Sequence, residues 1–571
     1  MRTIRRRTLR SGTVTLLAVT ALLSTVLSGT GSAASPPADT PPAVSPSQPA
    51  TPAAAAAEAR RDLAGDITFS EPSGTFRDEV TVELGTTVDG AEIHYTTDGQ
   101  LPTADSPVYD GTPLRLTDTT QLRAQAFVDG TATGDPGTAL YIANTVDTSH
   151  DLPILVMDAY GAGKPGRDWA DVATLLMEPS EDGTTSPADT PTVASRAGFH
   201  LRGQSSSSFE KAPYRLELRD NEDEDLDVPL LGMPADADWV LRGPFPDKTL
   251  IRDAFAYTLG RDLGVKTPRH AFVEVYLNLD GGPLSEEDYQ GVYLLDETIK
   301  RSPDRVDITK LKKSDIAEPE VTGGYIFKFE GFAAEEPTLP CTGDSDTCWR
   351  DLEVAEPDGD DLQPEQQEWL TQYVQGFHDA LHSDDPANPE TGYPAYIDVD
   401  SFVNFIIVNE LSREGDAYIR STYFHKDRGG PIVAGPLWDY DLGFGAIPGS
   451  DSTEGFQFEP IFGPGPFTIN DWFLQLMRVP EFSQQVAARW QELRNGILSD
   501  EQLTKRVDTL AAPLTNAAER NFAKWQILNE QRVGPFFTIT TDTWEEQLDL
   551  MKDWLLKRAA WLDQSGWQPR Q

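Results

Sequence analysis

Apolar residues change their spacing three times along the chain, and each change marks a region. From Val14 to Leu27 they run almost unbroken behind Arg2, Arg5, Arg6, Arg7 and Arg10, and small residues follow to Ala34. A basic start, an apolar core and a Gly-Ser-Ala-Ala cleavage zone predict a secretory signal peptide over 1–34, and Arg6-Arg7 also suits a twin-arginine signal. Residues 35–63 are largely Ala, Pro, Ser and Thr, too poor in large apolar groups to bury a core, so they read as a disordered linker. From 64 to 147 the period becomes two: Val80 to Leu84, Glu92 to Thr96 and Gln121 to Phe127 alternate between turn signals. That spacing predicts a small β-sandwich.

A larger region, 152–571, mixes both periods. Gly198 to Arg202 reads as a strand, Gly203 to Glu210 as a small-residue loop ending at Lys211, and Tyr214, Leu216 and Leu218 as the next strand. Asp247 opens a helix that reaches Leu263 and stops at Gly264. Phe272 to Leu277, Val292 to Leu295 and Gly323 to Glu330 are strands, with Glu297 at a sheet edge. A helix containing Val403, Phe405, Ile406, Ile407 and Val408 has no polar face. Asp400 or Ser401 is its expected N-cap and Gly415 its left-handed stop. Beyond Phe467 the chain is helical and Trp-rich. Thr543 with Glu546 forms a capping box, and Trp544, Leu548, Met551, Leu555, Arg558 and Leu562 step along one buried face.

Composition narrows the partners. The formal net charge is −45, and the signal peptide would remove five arginines and no acid. A basic face for nucleic acid or an anionic membrane is therefore excluded. No later run approaches the ~18 apolar residues of a transmembrane helix. Cys341 and Cys348 are the only cysteines, and in an exported chain they predict a short disulfide loop. The acidic run Asp220 to Asp227 lacks calcium-loop spacing and reads as a solvated turn. His378 and His382 share a helix face, but no third ligand is evident in sequence, which favours a surface pair over a metal site.

The stretch Gly415 to Gly445 carries the candidate chemistry. Two strand-like runs, Tyr418 to His425 and Pro431 to Trp438, flank an Asp427-Arg428-Gly429-Gly430 turn. If the hairpin is symmetric about 427–428, Asp416 pairs with Asp439 and Asp441 lies close by. Two acids flanking a hairpin are either a turn residue with a strand-end cap, or a base and a metal ligand laid out as in protein kinases. The loop of Ser205 and Ser206, with Arg202 and Lys211 beside it, could meet an anion such as phosphate.

Two resemblances add to this. Ile93-His94-Tyr95-Thr96-Thr97-Asp98-Gly99, Pro102-Thr103, Ser106, Tyr109 and the Leu122 to Phe127 strand resemble the chitobiase/β-hexosaminidase C-terminal-type module, an accessory that implies no catalysis and serves as a spacer or a carbohydrate contact. Leu201 to Ser206 with Lys211, Asp238-Trp239-Val240-Leu241 with Asp247-Lys248 and Arg252, Gly291 to Leu294 with Glu297 and Arg305, Gly323-Gly324-Tyr325, Asp416, and Leu437 to Asp441 resemble, in order, the spore-coat protein H (CotH) kinase family. The resemblance covers about residues 152–565. It implies an α+β atypical protein-kinase-like fold with a helical C-terminal part, ATP with Mg2+ or Mn2+, and phosphorylation of proteins. By the same resemblance Asp416 is the catalytic base, Asp439 a metal ligand and Asp441 its partner. Arg202, Ser205, Ser206 and Lys211 form the phosphate side, and Arg252 and Glu297 orient Lys211 or line the nucleotide pocket. Ser421 stands where the family often has Asn, which puts a second metal ion in doubt.

Three functions compete: an exported kinase acting on an unnamed protein acceptor; a non-catalytic wall or matrix scaffold in which the sandwich meets cell-wall polysaccharide; and a glycosidase using paired acids. The third leaves the Ser-rich loop and Lys211 without a role and ranks last.

Overall fold

The computed structural model describes residues 63–330, 336–344, 347–448, 451–459 and 470–569. The expected signal peptide, and the linker except for its last residue, lie outside the described residues.

The period-two segment is all β. Strands Gly74–Phe76, Gly137–Ala143, Thr120–Val128 and Glu92–Thr96 lie side by side in one sheet, and Thr131–Ala132 pairs onto its third strand. Two short ladders, Ile67–Phe69 with Leu84–Thr86 and Val80–Val82 with Leu114–Leu116, pack on that sheet across Ile67, Val82, Leu116, Leu122, Ala124 and Tyr141. The single strand expected over Val80 to Leu84 is thus divided, its halves pairing with different partners.

Seven strands then close into a barrel. Ile154–Asp158, Ala170–Met177, Val193–Leu201, Tyr214–Arg219 and Asp238–Arg242 follow in chain order, and Tyr289–Glu297 and His270–Asn278 complete the ring. Only the closing pair, Ile154–Asp158 with His270–Asn278, is parallel. Because successive strand side chains face opposite ways, Trp239, Leu241, Tyr293 and Leu295 fill the barrel while Val292 and Leu294 face the rest of the domain. The helix Arg252–Asp262 lies in the connection between Asp238–Arg242 and His270–Asn278. It starts later than expected, because Asp247 caps it from outside, accepting from the backbone N–H of Thr249 and of Arg252 at 2.9 Å each. Gly264 does stop it, at φ +83°.

The sandwich and the barrel share a strand. In Gly137–Ala143, Ala139 and Tyr141 face the sandwich core, while Leu140 and Ile142 pack on Ile154, Val156, Leu175 and Tyr276 of the barrel. Asn221, buried within the acidic run, seals the seam by donating to Leu63 O and Pro136 O, both at 2.8 Å, and accepting from Thr138 Oγ1 at 2.6 Å. That run is therefore not a free solvated turn; Asp223 also pairs with Arg196 at 2.6 Å.

The second half holds a sheet in the order Leu352–Glu356, Tyr325–Phe329, Thr422–Lys426, Ile432–Ala434, covered by the helices Pro364–Leu381 and Val399–Ser412 and by the C-terminal helices. The helix Val399–Ser412 is buried on nearly every side, as its sequence requires, but its ends differ from expectation. Asp398 is the N-cap, accepting from Ser401 N at 2.8 Å, and Arg413, not Gly415, is the left-handed stop at φ +49°. Trp544–Ser565 buries its expected stripe, Arg558 included. Cys341 and Cys348 are bonded, with Cα atoms 5.6 Å apart. His378 is buried rather than superficial: it accepts from Trp472 Nε1 at 3.2 Å, and Asp471 supplies the acid that sequence could not find, 2.9 Å from His382 Nε2. Among the described residues no helix is long and apolar enough to cross a membrane.

Candidate active site

The hairpin is real but shorter than its sequence suggested, and its register is different. Phe424 pairs with Ala434 and Lys426 with Ile432, which centres the turn on Gly429. Asp416 is therefore not a ladder partner of Asp439. It is brought in another way. After Arg413 the chain coils through tight turns, with Tyr418 at φ +69° and Ser421 at φ +47°, and Asp439 is also left-handed at φ +70°. Side chains other than glycine avoid this region, so the surrounding packing holds the three residues in place. The result is one small cleft lined by Glu414, Asp416, Arg420, Ser421, Trp438 and Asp439.

Asp439 is held from three sides. Its N–H donates to Tyr257 OH at 3.3 Å, Ser421 Oγ donates to Oδ2 at 3.3 Å, and Arg242 Nη1 lies 2.5 Å from Oδ1. Arg242 ends the strand Asp238–Arg242 on the outer face of the barrel. Its ladder partner is Leu294, so Asp296 is its diagonal neighbour on the same face, and Arg242 Nε lies 3.2 Å from Asp296 Oδ2. Asp253, in the first turn of the helix Arg252–Asp262, adds a third carboxylate at 3.4 Å and also accepts from Tyr440 N at 2.7 Å. Burial pushes Asp253 up to about 6 and Asp296 up to about 7, while the carboxylates around Arg242 hold its guanidinium above the ordinary range against the effect of burial. Two cations lie against the Trp438 ring, Arg202 at 5.0 Å and Arg242 at 4.6 Å from its centre.

Asp416 is half-buried and pairs with Arg420 at 3.1 Å. Burial raises its carboxyl above the usual range, Arg420 opposes that, and Asp439 and Glu330 add to it. Asp441 is raised well above the range by burial and then by Asp439 and Asp253. Glu414 is raised well above the range by burial and then by Asp416, Asp441 and Asp439, and its Oε2 is buried without a hydrogen-bond partner among the described residues. These hard oxygen donors suit Mg2+ or Mn2+. Among the described residues, however, the one trio of His, Cys, Asp or Glu with ligand atoms within 4.8 Å of one another is His378, His382 and Asp471.

Of the residues expected in the site, Arg202, Asp416, Asp439 and Asp441 gather here. Ser205 and Ser206 follow Arg202 on an exposed loop that Gly203 opens at φ +80°, where a Cβ would lie 2.0 Å from Ser206 Oγ. Three others are engaged elsewhere. Lys211 is fully buried, donates to Asn521 Oδ1 at 2.8 Å and lies over the Tyr293 ring; burial pushes its ammonium far below the ordinary range. Glu297 does not orient it, because Arg269 takes Glu297 with bonds of 2.7, 2.9 and 3.0 Å. Arg252 pairs with Asp247 and donates to Gly443 O at 3.0 Å, tying the loop after Asp441 to the start of its helix.

A family model described as CotH kinase protein matches residues 199–562, more than half of the chain. The chain belongs to the CotH kinase family. In this CotH-family protein a second model, the chitobiase/beta-hexosaminidase C-terminal domain, matches residues 71–138, within the β-rich module. No curated protein matches. Among solved structures, the Helicobacter pylori proinflammatory kinase CtkA is similar over 60% of this chain and 93% of its own, at 7% identity and a TM-score of 0.19, too loose a superposition to say more.

Sequence reasoning missed Arg242, Asp253, Asp296 and Glu414. A signal was present for two of them: Asp296 interrupts the apolar run Val292 to Leu295 and Arg242 ends the run Trp239 to Leu241, and opposite charges on adjacent buried strands imply a pair. Nothing in sequence identified the two strands as neighbours.

Proposed function

We propose that this CotH-family protein transfers the γ-phosphate of ATP to a hydroxyl of a protein acceptor, with Mg2+ or Mn2+, outside the cell. The observation that carries this is the convergence of Asp416, Ser421 and Asp439 on one cleft faced by Arg202 and Arg242 from the barrel. A divalent cation bound there supplies positive charge to the phosphate oxygens. Asp439 and Asp441 are the residues to hold it. Arg202, with Ser205 and Ser206, meets the phosphates; Arg252 keeps the Asp441 loop in place, and Lys211 and Glu297 support the fold around the site. Asp416 orients the acceptor hydroxyl and takes its proton as the oxygen–phosphorus bond forms and the β–γ bridge breaks. Its raised carboxyl makes it a better base than a free aspartate. The β-rich module keeps the company of polysaccharide in this reading, and the Cys341–Cys348 bond suits an oxidising compartment.

Titration of the full mature chain with Mg-ATP in a calorimeter, beside transfer of labelled γ-phosphate, tests this. Asp439→Ala should lose Mg-dependent binding and turnover together. Asp416→Ala should keep binding and lose transfer by at least ~100-fold. Equal small effects would remove the kinase reading. One observation favours the scaffold instead: both acids are already ion-paired, Asp439 with Arg242 and Asp416 with Arg420. Binding of Mg-ATP without transfer would establish that second reading.

A further inference from the structure

Arg242 is placed to do more than balance charge, and the inference that follows rests on the nucleotide reading above. Its Nη1 sits on Asp439 Oδ1 at 2.5 Å, the carboxylate that reading gives to a divalent cation. Its Nε faces Asp296 and Asp253, and its Nη2 is buried with no hydrogen-bond partner among the described residues. A guanidinium is planar and presents five donors in a fork that matches phosphate as well as carboxylate. A buried donor left unpaired is costly, so a ligand oxygen at Nη2 would be welcome. A cation on Asp439 would also repel a guanidinium held at 2.5 Å from the same oxygen. Arg202 and Arg242 both lie against the Trp438 ring, 5.0 Å and 4.6 Å from its centre, and each feels the other's charge, so the site offers an anion two cations close together.

We propose that Arg242 is a phosphate-binding residue of this site and the counter-ion that the divalent cation must displace. Without nucleotide it neutralises Asp439. With a nucleoside triphosphate bound, its fork turns to the phosphate oxygens alongside Arg202, and Asp439 is released to the cation. Nucleotide and cation then bind with positive coupling, set by one side chain.

Removing Arg242 should therefore move the two affinities in opposite directions. The test uses the full mature chain, with Mn2+ followed by its paramagnetic signal without nucleotide and ATP followed by calorimetry in EDTA. Arg242→Met is combined with Asp296→Asn, so that one fewer buried carboxylate is left unpaired, and is compared with Asp296→Asn alone. Nucleotide-free Mn2+ affinity is expected to rise several-fold, and metal-free ATP affinity to fall by ~10-fold or more, the scale of a lost charge-assisted bond to phosphate. Arg242→Lys keeps the charge beside all three acids and loses the fork. It provides the answer if the double variant does not fold, with ATP affinity expected to fall while the melting point holds. Affinities unchanged in Arg242→Lys, or Mn2+ and ATP affinities falling together in a folded double variant, would make Arg242 a structural clamp and overturn the inference while leaving the kinase reading standing. A wild-type chain that binds neither ATP nor Mn2+ would overturn both.

Discussion

Replacing Arg558 with Met should be among the most damaging single changes in the chain, although the residue lies outside the proposed site. Arg558 and Glu410 both have fully buried side chains and pair at 3.1 Å. Arg558 also donates to Glu410 O at 2.7 Å, Thr453 O at 3.0 Å and Gly455 O at 2.7 Å. Glu410 in turn accepts from Tyr418 OH, Gln457 N and Phe458 N at 3.0, 2.8 and 3.0 Å. Met fills the volume but leaves a buried carboxylate without its cation, which costs roughly 3–5 kcal/mol. For a body of this size, with ~2.1 cal/mol/K of unfolding entropy per residue, that lowers the melting point by roughly 3–5 °C. The pH dependence has a definite sign. Burial already raises Glu410, and losing Arg558 raises it further, so the folded variant binds a proton more tightly than its unfolded chain does. The deficit should be smallest near the ordinary carboxylate pKa of ~4.3 and should grow as pH rises through the folded value. Melts of Arg558→Met and wild type at pH 5 and pH 8, followed by tryptophan fluorescence, read the difference directly. Glu410→Gln added to Arg558→Met should recover about 2 kcal/mol or more, because no buried charge is then left unpaired. A deficit below ~1 kcal/mol at pH 8, one of equal size at both pH values, or a double variant no better than the single, would refute this account.

Two further outcomes follow from contacts already described. A fragment beginning at Asp147 removes Leu140, Ile142 and Val146 from the barrel wall, so it should aggregate or bind a hydrophobic dye; a soluble fragment melting like the full chain would show that the shared strand is dispensable. Asp471 raises His382, so their pair stabilises fully below the histidine's unfolded pKa and loses that contribution as pH rises through the folded value. Asp471→Asn should thus cost ~1 kcal/mol or less at pH 5.5 and still less at pH 9, and denaturant midpoints showing equal costs would remove the pair as the cause.

The parts of the fold legible in the sequence were those with strong local patterns. The capping box at Thr543 and the buried helix before Arg413 stand close to where their local patterns put them. Closure of the barrel was not legible, because a parallel pairing of Ile154–Asp158 with His270–Asn278 joins segments over 100 residues apart and leaves no local trace. The site was half legible. Its acids were recognised by a pairing rule that assumed a longer hairpin, and they meet instead through left-handed turns at Tyr418, Ser421 and Asp439, which no residue type there advertises. Lys211 illustrates the opposite error. A lysine after a small-residue loop suggests an anion, but the path of the loop between Ser208 and Tyr214 decides which way the side chain faces, and here it is turned into the packing against Asn521.

The strand Gly137–Ala143, with one face in each of two cores, makes the β-rich module a fixed mount rather than a tethered one. A module on a flexible leash samples a volume, and its neighbour meets targets at a concentration set by the leash. Here the angle and the spacing between anything gripped by the module and the cleft at Asp439 are set once, by the fold. On a flat, repetitive surface such as a polymer sheet, every copy would point its cleft the same way. Under the kinase reading proposed above, only acceptors at one height and one heading would be within reach.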